Sequence, residues 1–189
     1  MKTRKLVLVL ITFLSVSILF AQGDTVWYDS NWNVTEEENA TYYRPNPEKK
    51  LNGYWLIDYY TSGMIQMEGL SKESDDEVFE GVIKWYYENG KVQQAIYYSE
   101  GKLNGSRKMY FKSGKLKNER YYVMGIVKGD YVSFYESGTK MIDGFYKNDN
   151  KHGEWTEYYQ DGEKKAFGTY ENGKKVGVWK HFHYNGSYE

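Results

Sequence analysis

Glycine and aromatic residues recur along the chain at an interval of 24 residues. Phrases such as "YYENG", "YFKSG", "FYESG" and "YYQDG" end at Gly90, Gly114, Gly138 and Gly162, and "FHYNG" ends at Gly186. An earlier copy, "YYTSG", ends 27 residues before Gly90, at Gly63. Between these glycines polar and apolar positions alternate with the two-residue period of a strand, whereas a helix would have to accommodate glycine at four places per repeat. The pattern predicts an all-β fold in which tandem 24-residue hairpins form one elongated, twisted antiparallel sheet.

Each repeat carries two turn signals. Asn89-Gly90 and Asp161-Gly162 are favoured central pairs of a two-residue type I′ hairpin, in which both positions take positive φ, so we expect type I′ turns there. The second turn of each repeat is marked by one residue in each copy: Gly101, Gly125, Asp149 and Gly173.

The register of the predicted hairpins places large side chains opposite glycines. Counting back from Asp161-Gly162 sets Trp155 opposite Gly168, and the same count sets Tyr131 opposite Gly144 and Leu56 opposite Gly69. A ring facing glycine across an antiparallel pair covers otherwise bare backbone. The third repeat breaks this rule because Arg107 faces Arg120, so we expect a local irregularity there.

The first strand of each repeat has two chemically different faces. Counted from its opening glycine, the second and sixth positions lie on the more apolar face, whereas the first and third positions of the other face are mostly polar and include Lys84 and Lys108. The fifth position of that polar face is nevertheless aromatic in every copy: Tyr86, Tyr110, Phe134, Tyr158 and Phe182. We predict that these rings and the two lysines form a binding surface. The alternative is that the rings are buried between adjacent hairpins.

The repeating unit, of the form "YxxGKxxGxWxxYYxxGK", resembles the MORN repeat in the bacterial variant labelled YwqK-type antitoxin. The likeness covers residues 53–189, although tryptophan stands at its motif position only in Trp155 and Trp179. The resemblance implies stacked hairpins in one long sheet, and its label implies neutralisation of a toxin by direct binding. Val26 to Arg44 lies outside the repeats and resembles the leader segment of exported proteins of Bacteroidetes-type bacteria.

The first 22 residues have the layout of a secretory signal peptide. Three basic residues precede an apolar run that ends at Ala21, and this run is shorter than the roughly 20 residues of a membrane-spanning helix. We therefore expect export to the periplasm or the extracellular side of the cell envelope, with cleavage near Ala21; an uncleaved anchor is the alternative. The chain has no cysteine, which excludes disulfides and a lipid anchor on cysteine. Residues 23–52 form a non-repeat segment and residues 53–189 the repeat domain.

Charge is distributed unevenly, and no catalytic motif stands out. Residues 23–80 carry 13 acids and 4 bases, a net −9, whereas residues 81–189 carry 13 acids and 18 bases, a net +5. This basicity is too low for a nucleic-acid binder, so no nucleic acid is expected as a partner. His181 and His183 lie two residues apart without an obvious third ligand, so no metal site is predicted. We expect neither a cofactor nor enzymatic activity.

Two classes of function fit the pattern. The first is a non-catalytic exported repeat protein that presents an extended sheet to an unknown protein or envelope polymer, with an antitoxin-like or immunity role as one form of this function. The second is a carbohydrate or cell-wall binding module, in which rings of neighbouring hairpins stack on sugar or enclose a cation. Contact between the basic half and an anionic membrane surface ranks below both, because a net charge of +5 is modest.

Overall fold

The protein forms one open antiparallel sheet of 14 strands in a computed structural model that describes residues 25–184. The strands are β1 (Val26–Tyr28), β2 (Tyr42–Arg44), β3 (Glu48–Lys50), β4 (Gly53–Tyr60), β5 (Ile65–Ser71), β6 (Phe79–Tyr86), β7 (Val92–Ser99), β8 (Lys102–Tyr110), β9 (Leu116–Val123), β10 (Ile126–Phe134), β11 (Lys140–Lys147), β12 (Asn150–Tyr158), β13 (Lys164–Glu171) and β14 (Lys174–His181). From β4 to β14 each strand pairs with its neighbours in sequence. The predicted all-β hairpin array is confirmed.

The non-repeat segment joins the same sheet. Strand β2 pairs with β4 and carries β1 at its outer edge, while β3 pairs with the opening residues of β4. A single 3-10 turn, Glu37–Asn39, is the only helical element of residues 25–184, and no helix in that range is long and apolar enough to cross a membrane. The expected signal peptide and the turn at Gly186 lie outside the described residues.

The two turns of each repeat are of different kinds, and the predicted turn type was wrong for the first of them. At Gly162 the amide donates to the carbonyl of Tyr159 (3.0 Å), and the amide of Tyr159 donates to the carbonyl of Glu163 (2.8 Å). Gly162 has φ 96°, whereas Asp161 does not have positive φ. This is a three-residue loop with a glycine bulge, not a type I′ turn.

The residue before the bulge glycine acts through its side chain. Asp161 Oδ1 accepts a hydrogen bond from the amide of Glu163 (3.0 Å), and Asn89 Oδ1 accepts one from the amide of Lys91 (3.1 Å). Ser137 Oγ accepts from Thr139 in the same way (3.3 Å). A short polar side chain is therefore favoured here as a hydrogen-bond acceptor, not because of positive φ.

Type I′ geometry occurs instead at the second turn of each repeat. Both central residues have positive φ in all four copies: Glu100-Gly101, Met124-Gly125, Asn148-Asp149 and Asn172-Gly173. These two-residue loops connect directly paired strand ends, such as Glu171 and Lys174. Asparagine tolerates this conformation, whereas methionine at position 124 does so at a cost.

The strand pairing shifts by two residues wherever one repeat meets the next. Asp143 pairs with Thr156, but Phe145 pairs with His152, so β12 has extra residues, among them Gly153 with φ 70°. The same shift occurs on alternate strands, each with a positive-φ glycine: Gly81, Gly105, Gly129 and Gly177. Bulges of this kind bend a strand and increase its local twist. Each repeat therefore contains one point at which the twist of the sheet increases.

The predicted register is confirmed, but the partner that covers each glycine is different. Trp155 pairs with Gly168, as expected. A Cβ built on Gly168, however, would lie 2.6 Å from Trp179, and one built on Gly144 would lie 2.2 Å from Trp155. Each indole thus covers the glycine of the preceding repeat. The irregularity expected at the pair formed by Arg107 and Arg120 was wrong, because the ladder runs through it without a shift.

The two faces of the sheet differ sharply in burial. The packed face contains the second, fourth and sixth positions and includes buried Leu56, Ile83 and Trp155. The open face contains the first, third and fifth positions and exposes Val82 and Lys84. The hydrophobic core of this single-layer sheet therefore lies on one surface only.

Tyrosine hydroxyl groups connect successive repeats along the packed face. The Tyr87 hydroxyl donates to the carbonyl oxygen of Tyr110 (2.8 Å), and the Tyr135 hydroxyl donates to that of Tyr158 (2.8 Å). Tyr60 and Tyr159 make the equivalent bonds to Tyr86 and Phe182 (2.7 and 2.8 Å). The third repeat has Phe111 at this position and lacks the hydroxyl group. One link of the series is consequently missing.

Replacing Met124 by asparagine should stabilise the protein, because the left-handed conformation of the type I′ turn suits asparagine better. We expect the free energy of unfolding in urea to rise by about 0.5–1 kcal/mol. Met64→Asn is the matched control, since Met64 is similarly exposed and has no positive φ. An equal effect of both substitutions would contradict the turn assignment.

The missing hydroxyl group at Phe111 allows a second test, in which two substitutions should change the free energy of unfolding in opposite directions. Tyr135→Phe removes one inter-repeat hydrogen bond and should lower the free energy of unfolding by about 0.5–1.5 kcal/mol. Phe111→Tyr supplies the absent donor and should raise it by up to the same amount. Both values come from urea titration monitored by circular dichroism. A destabilised Phe111→Tyr variant would show that the hydroxyl cannot reach the carbonyl of Phe134.

Candidate binding surfaces

An aromatic network surrounds Trp155 on the packed face. The indole stacks on Tyr131 (5.6 Å between centroids) and meets Tyr146 and Tyr170 edge-on (5.2 and 5.7 Å). The ammonium group of Lys151 lies 4.2 Å from the indole centroid, and burial lowers the pKa of this lysine. Trp155 is only 2% exposed. Its neighbours on one face are therefore sufficient to bury it without a second layer.

The packed face ends at the N-terminal side in an ion triad. Arg44 of β2 donates from Nη2 to Asp58 of β4 (2.8 Å) and to Glu77 (2.7 Å). Arg44 and Asp58 are buried, whereas the Glu77 side chain is half exposed. Burial raises the pKa of the Asp58 carboxyl, and the hydrogen bond from Arg44 opposes that rise. The triad joins the non-repeat segment to the repeats.

A cavity of about 500 Å³ lies beside this triad, within the range of small-ligand sites. Its lining includes Trp32, Trp85, Gln66, Gln93 and Gln94. Gln66 is 9% exposed, and its Oε1 is buried without a hydrogen bond to any described residue. Trp32 has φ 64° and stacks on Tyr42 at 4.4 Å between centroids. The cavity thus combines aromatic rings with amide groups.

The five rings predicted as a binding surface are all half-buried on the open face. The Tyr86 hydroxyl donates to Glu68, and burial together with this bond raises the tyrosine pKa. Tyr158 lies under the ammonium group of Lys140 (5.6 Å), and Phe182 stacks on Phe167 (5.9 Å). Tyr110 and Phe134 occupy the same row. The rings therefore expose part of their surface and use the rest for packing.

The two predicted lysines differ in their surroundings. Lys84 is exposed and pairs across the ladder with Glu68. Lys108 forms an ion pair with Glu119 at 3.5 Å, also on the open face. Such exposed pairs contribute little to stability, so both ammonium groups remain available to a partner.

A second row of rings lies on the open face and was not predicted. Tyr97, Tyr121 and Phe145 are spaced by 24 residues on the second strand of each hairpin, and they are 42%, 50% and 38% exposed. Tyr97 and Tyr121 pack over Gly105 and Gly129, which carry no side chain of their own. The signal for this row in the sequence is the 24-residue spacing of the three rings, which places them at one position of the second strand. The row is more exposed than the five predicted rings.

Four segments of the chain match the family described as MORN repeat variant: residues 79–100, 103–124, 128–148 and 151–172. Each matched segment begins with the first strand of a hairpin and continues through the turn to the second strand of the same hairpin. Residues 79–172 therefore contain four copies of the MORN repeat variant. No curated protein matches the sequence significantly.

Within residues 25–184 no group of three or more histidine or acidic side chains could hold a metal ion. The exposed rings of the open face and the cavity beside the ion triad are the candidate binding surfaces.

Proposed function

We propose that this MORN-repeat protein is an exported, non-catalytic binding protein whose open face contacts another protein of the cell envelope. The contact surface comprises the predicted ring column with Lys84 and Lys108, together with the exposed row Tyr97, Tyr121 and Phe145. Repeats of this type are generally found in proteins that bind other proteins or membranes. The proposal concerns the first of these partner classes.

The observation that supports this proposal is the exposure of the second row of rings. Three large rings stand at equal spacing on strands that are two apart in the sheet, which places neighbouring rings roughly 10 Å from one another. Aromatic side chains are enriched at protein interfaces. A periodic row therefore suits an elongated or repetitive partner surface.

The role expected from the sequence is an immunity-like or antitoxin-like one. The basic and apolar start of the chain favours export, and an exported binder would meet its target in the envelope. Neutralisation would then consist of covering the target surface, with no reaction step.

A saccharide-binding module is the second candidate, and the cavity beside the ion triad favours it. Tryptophan faces stack on sugar rings, and glutamine amides donate and accept hydrogen bonds with hydroxyl groups. The unpartnered Oε1 of Gln66 lacks a donor that a hydroxyl group would supply.

The open-face proposal is tested with a partner recovered from an envelope extract, using the protein as bait. Tyr110→Ala, Tyr158→Ala and Tyr121→Ala should each weaken binding at least tenfold and nearly preserve the melting temperature. Thr169→Ala is the matched control, because Thr169 occupies the exposed row one repeat further on. Binding lost only in proportion to unfolding would make these rings structural.

The same assay separates the competing partners. Trp32→Ala alters the cavity and leaves the open face intact, so the open-face proposal predicts unchanged partner binding. Loss of chito-oligosaccharide binding in Trp32→Ala, with the open-face variants unaffected, would favour the saccharide module. Equal binding of all variants to anionic phospholipid vesicles, without protein capture, would instead favour a membrane surface.

A further inference from the structure

Two arginines face each other in the centre of the packed face. Arg107 of β8 is the direct cross-strand partner of Arg120 of β9. In the other hairpins the same two positions hold uncharged residues: Leu56 with Gly69, Ile83 with Ile96, Tyr131 with Gly144 and Trp155 with Gly168. The repeats thus provide an internal comparison. Only this hairpin places charge in the row that forms the core.

Both guanidinium groups lack a carboxylate partner in the described part of the chain. Among residues 25–184 no acidic oxygen lies within 4.0 Å of Arg107 or Arg120, whereas Arg44 on the same sheet has two such partners. Arg107 Nη2 donates to the amide oxygen of Gln94 (3.0 Å), and Arg120 lies over the ring of Tyr131 (5.3 Å). Glu119, the nearest acid in sequence, is paired with Lys108 on the opposite face. Like charges directly opposite each other destabilise a sheet.

Unpartnered polar atoms belong to Arg107 and to neighbours of the arginine pair in the ladder. Arg107 Nε, Asn118 Oδ1 and Ser133 Oγ are buried and form no hydrogen bond with any described residue. Asn118 and Ser133 are paired across β9 and β10, and Ser133 is 2% exposed. Unsatisfied buried groups carry a desolvation cost that native proteins usually avoid. Two of the three, Arg107 Nε and Ser133 Oγ, are donors beside two charges that have no carboxylate, so a negatively charged acceptor would satisfy them. Asn118 Oδ1 is an acceptor and is not explained by such a ligand.

We propose that the packed face binds an oxyanion between Arg107 and Arg120. Two guanidinium forks can donate to a phosphate, sulfate or carboxylate group, and the charge of the anion would remove their repulsion. On the same face, Ser133 lies two residues along β10 from Tyr131, the cross-strand partner of Arg120, and carries a further hydroxyl donor. The site lies on the face opposite to the proposed protein-binding surface, and it does not depend on that proposal.

The test is thermal unfolding of the protein in inorganic phosphate and, separately, in chloride of matched ionic strength. Phosphate should raise the melting temperature in a saturable manner beyond the effect of chloride. Arg107→Gln and Arg120→Gln should each weaken the apparent affinity for phosphate at least tenfold. Without phosphate, both variants should melt at or above the temperature of the unchanged protein, because the like-charge repulsion is gone.

Two further variants keep the interpretation unambiguous. Lys128→Gln removes the same charge from an exposed position and should keep the full phosphate effect. Arg107→Lys retains the charge but loses the guanidinium fork, so it should bind phosphate more weakly than the unchanged protein does. Circular dichroism establishes that each variant is folded.

A second arm identifies the source of the anion. Calorimetric titration with a glutamate-rich peptide of about ten residues tests whether a protein carboxylate occupies the site. Arginine-dependent binding of the peptide alone would support the site with a protein carboxylate as ligand, and arginine-dependent binding of phosphate would support a free oxyanion. A phosphate effect that is equal in Arg107→Gln and Lys128→Gln, or no arginine-dependent binding of either probe, would overturn the proposal.

Discussion

A single-layer sheet has no second layer to cover it, and this constraint governs the rest of the structure. The packed face must be buried by its own side chains, so large rings lie over glycines of the neighbouring repeat, as Trp155 does over Gly144. Lysine side chains close the remaining gaps, with Lys151 and Lys175 over the indoles of Trp155 and Trp179. The sheet therefore places its largest side chains over glycine residues, and this arrangement recurs with the 24-residue period.

Concentrating the core on one face leaves the other face free for binding. The open face keeps rings such as Tyr121 exposed, since they are not needed for the core. The packed face departs from the pattern of large side chains over glycines at two places. These are the ion triad at its N-terminal end and the Arg107–Arg120 pair in its centre. Departures from local consistency mark functional or strained sites in many proteins. The triad is compensated by its own carboxylates, and the arginine pair is not.

Much of the fold was predictable because its information is periodic. The alternation of polar and apolar positions predicted the two faces of each strand. Counting from each turn predicted the correct cross-strand partners of Trp155 and Arg107. The turn type was not predictable from Asp161-Gly162, because aspartate is favoured there both for positive φ and as a side-chain acceptor. The two-residue shift between repeats was equally hidden, so the ring that covers Gly168 was misassigned. The contact of Arg44 with Asp58 and Glu77 joins residues far apart in sequence and outside the period.

The most direct test of this account compares truncation on the two faces. Trp155→Ala should lower the free energy of unfolding by about 3–5 kcal/mol, because it removes a buried ring and uncovers Gly144. Tyr121→Ala on the open face should change it by less than about 1 kcal/mol, apart from the exposure of Gly129. Urea unfolding of both variants provides the comparison. Equal losses would contradict a one-sided core, and with it the assignment of the open face to binding.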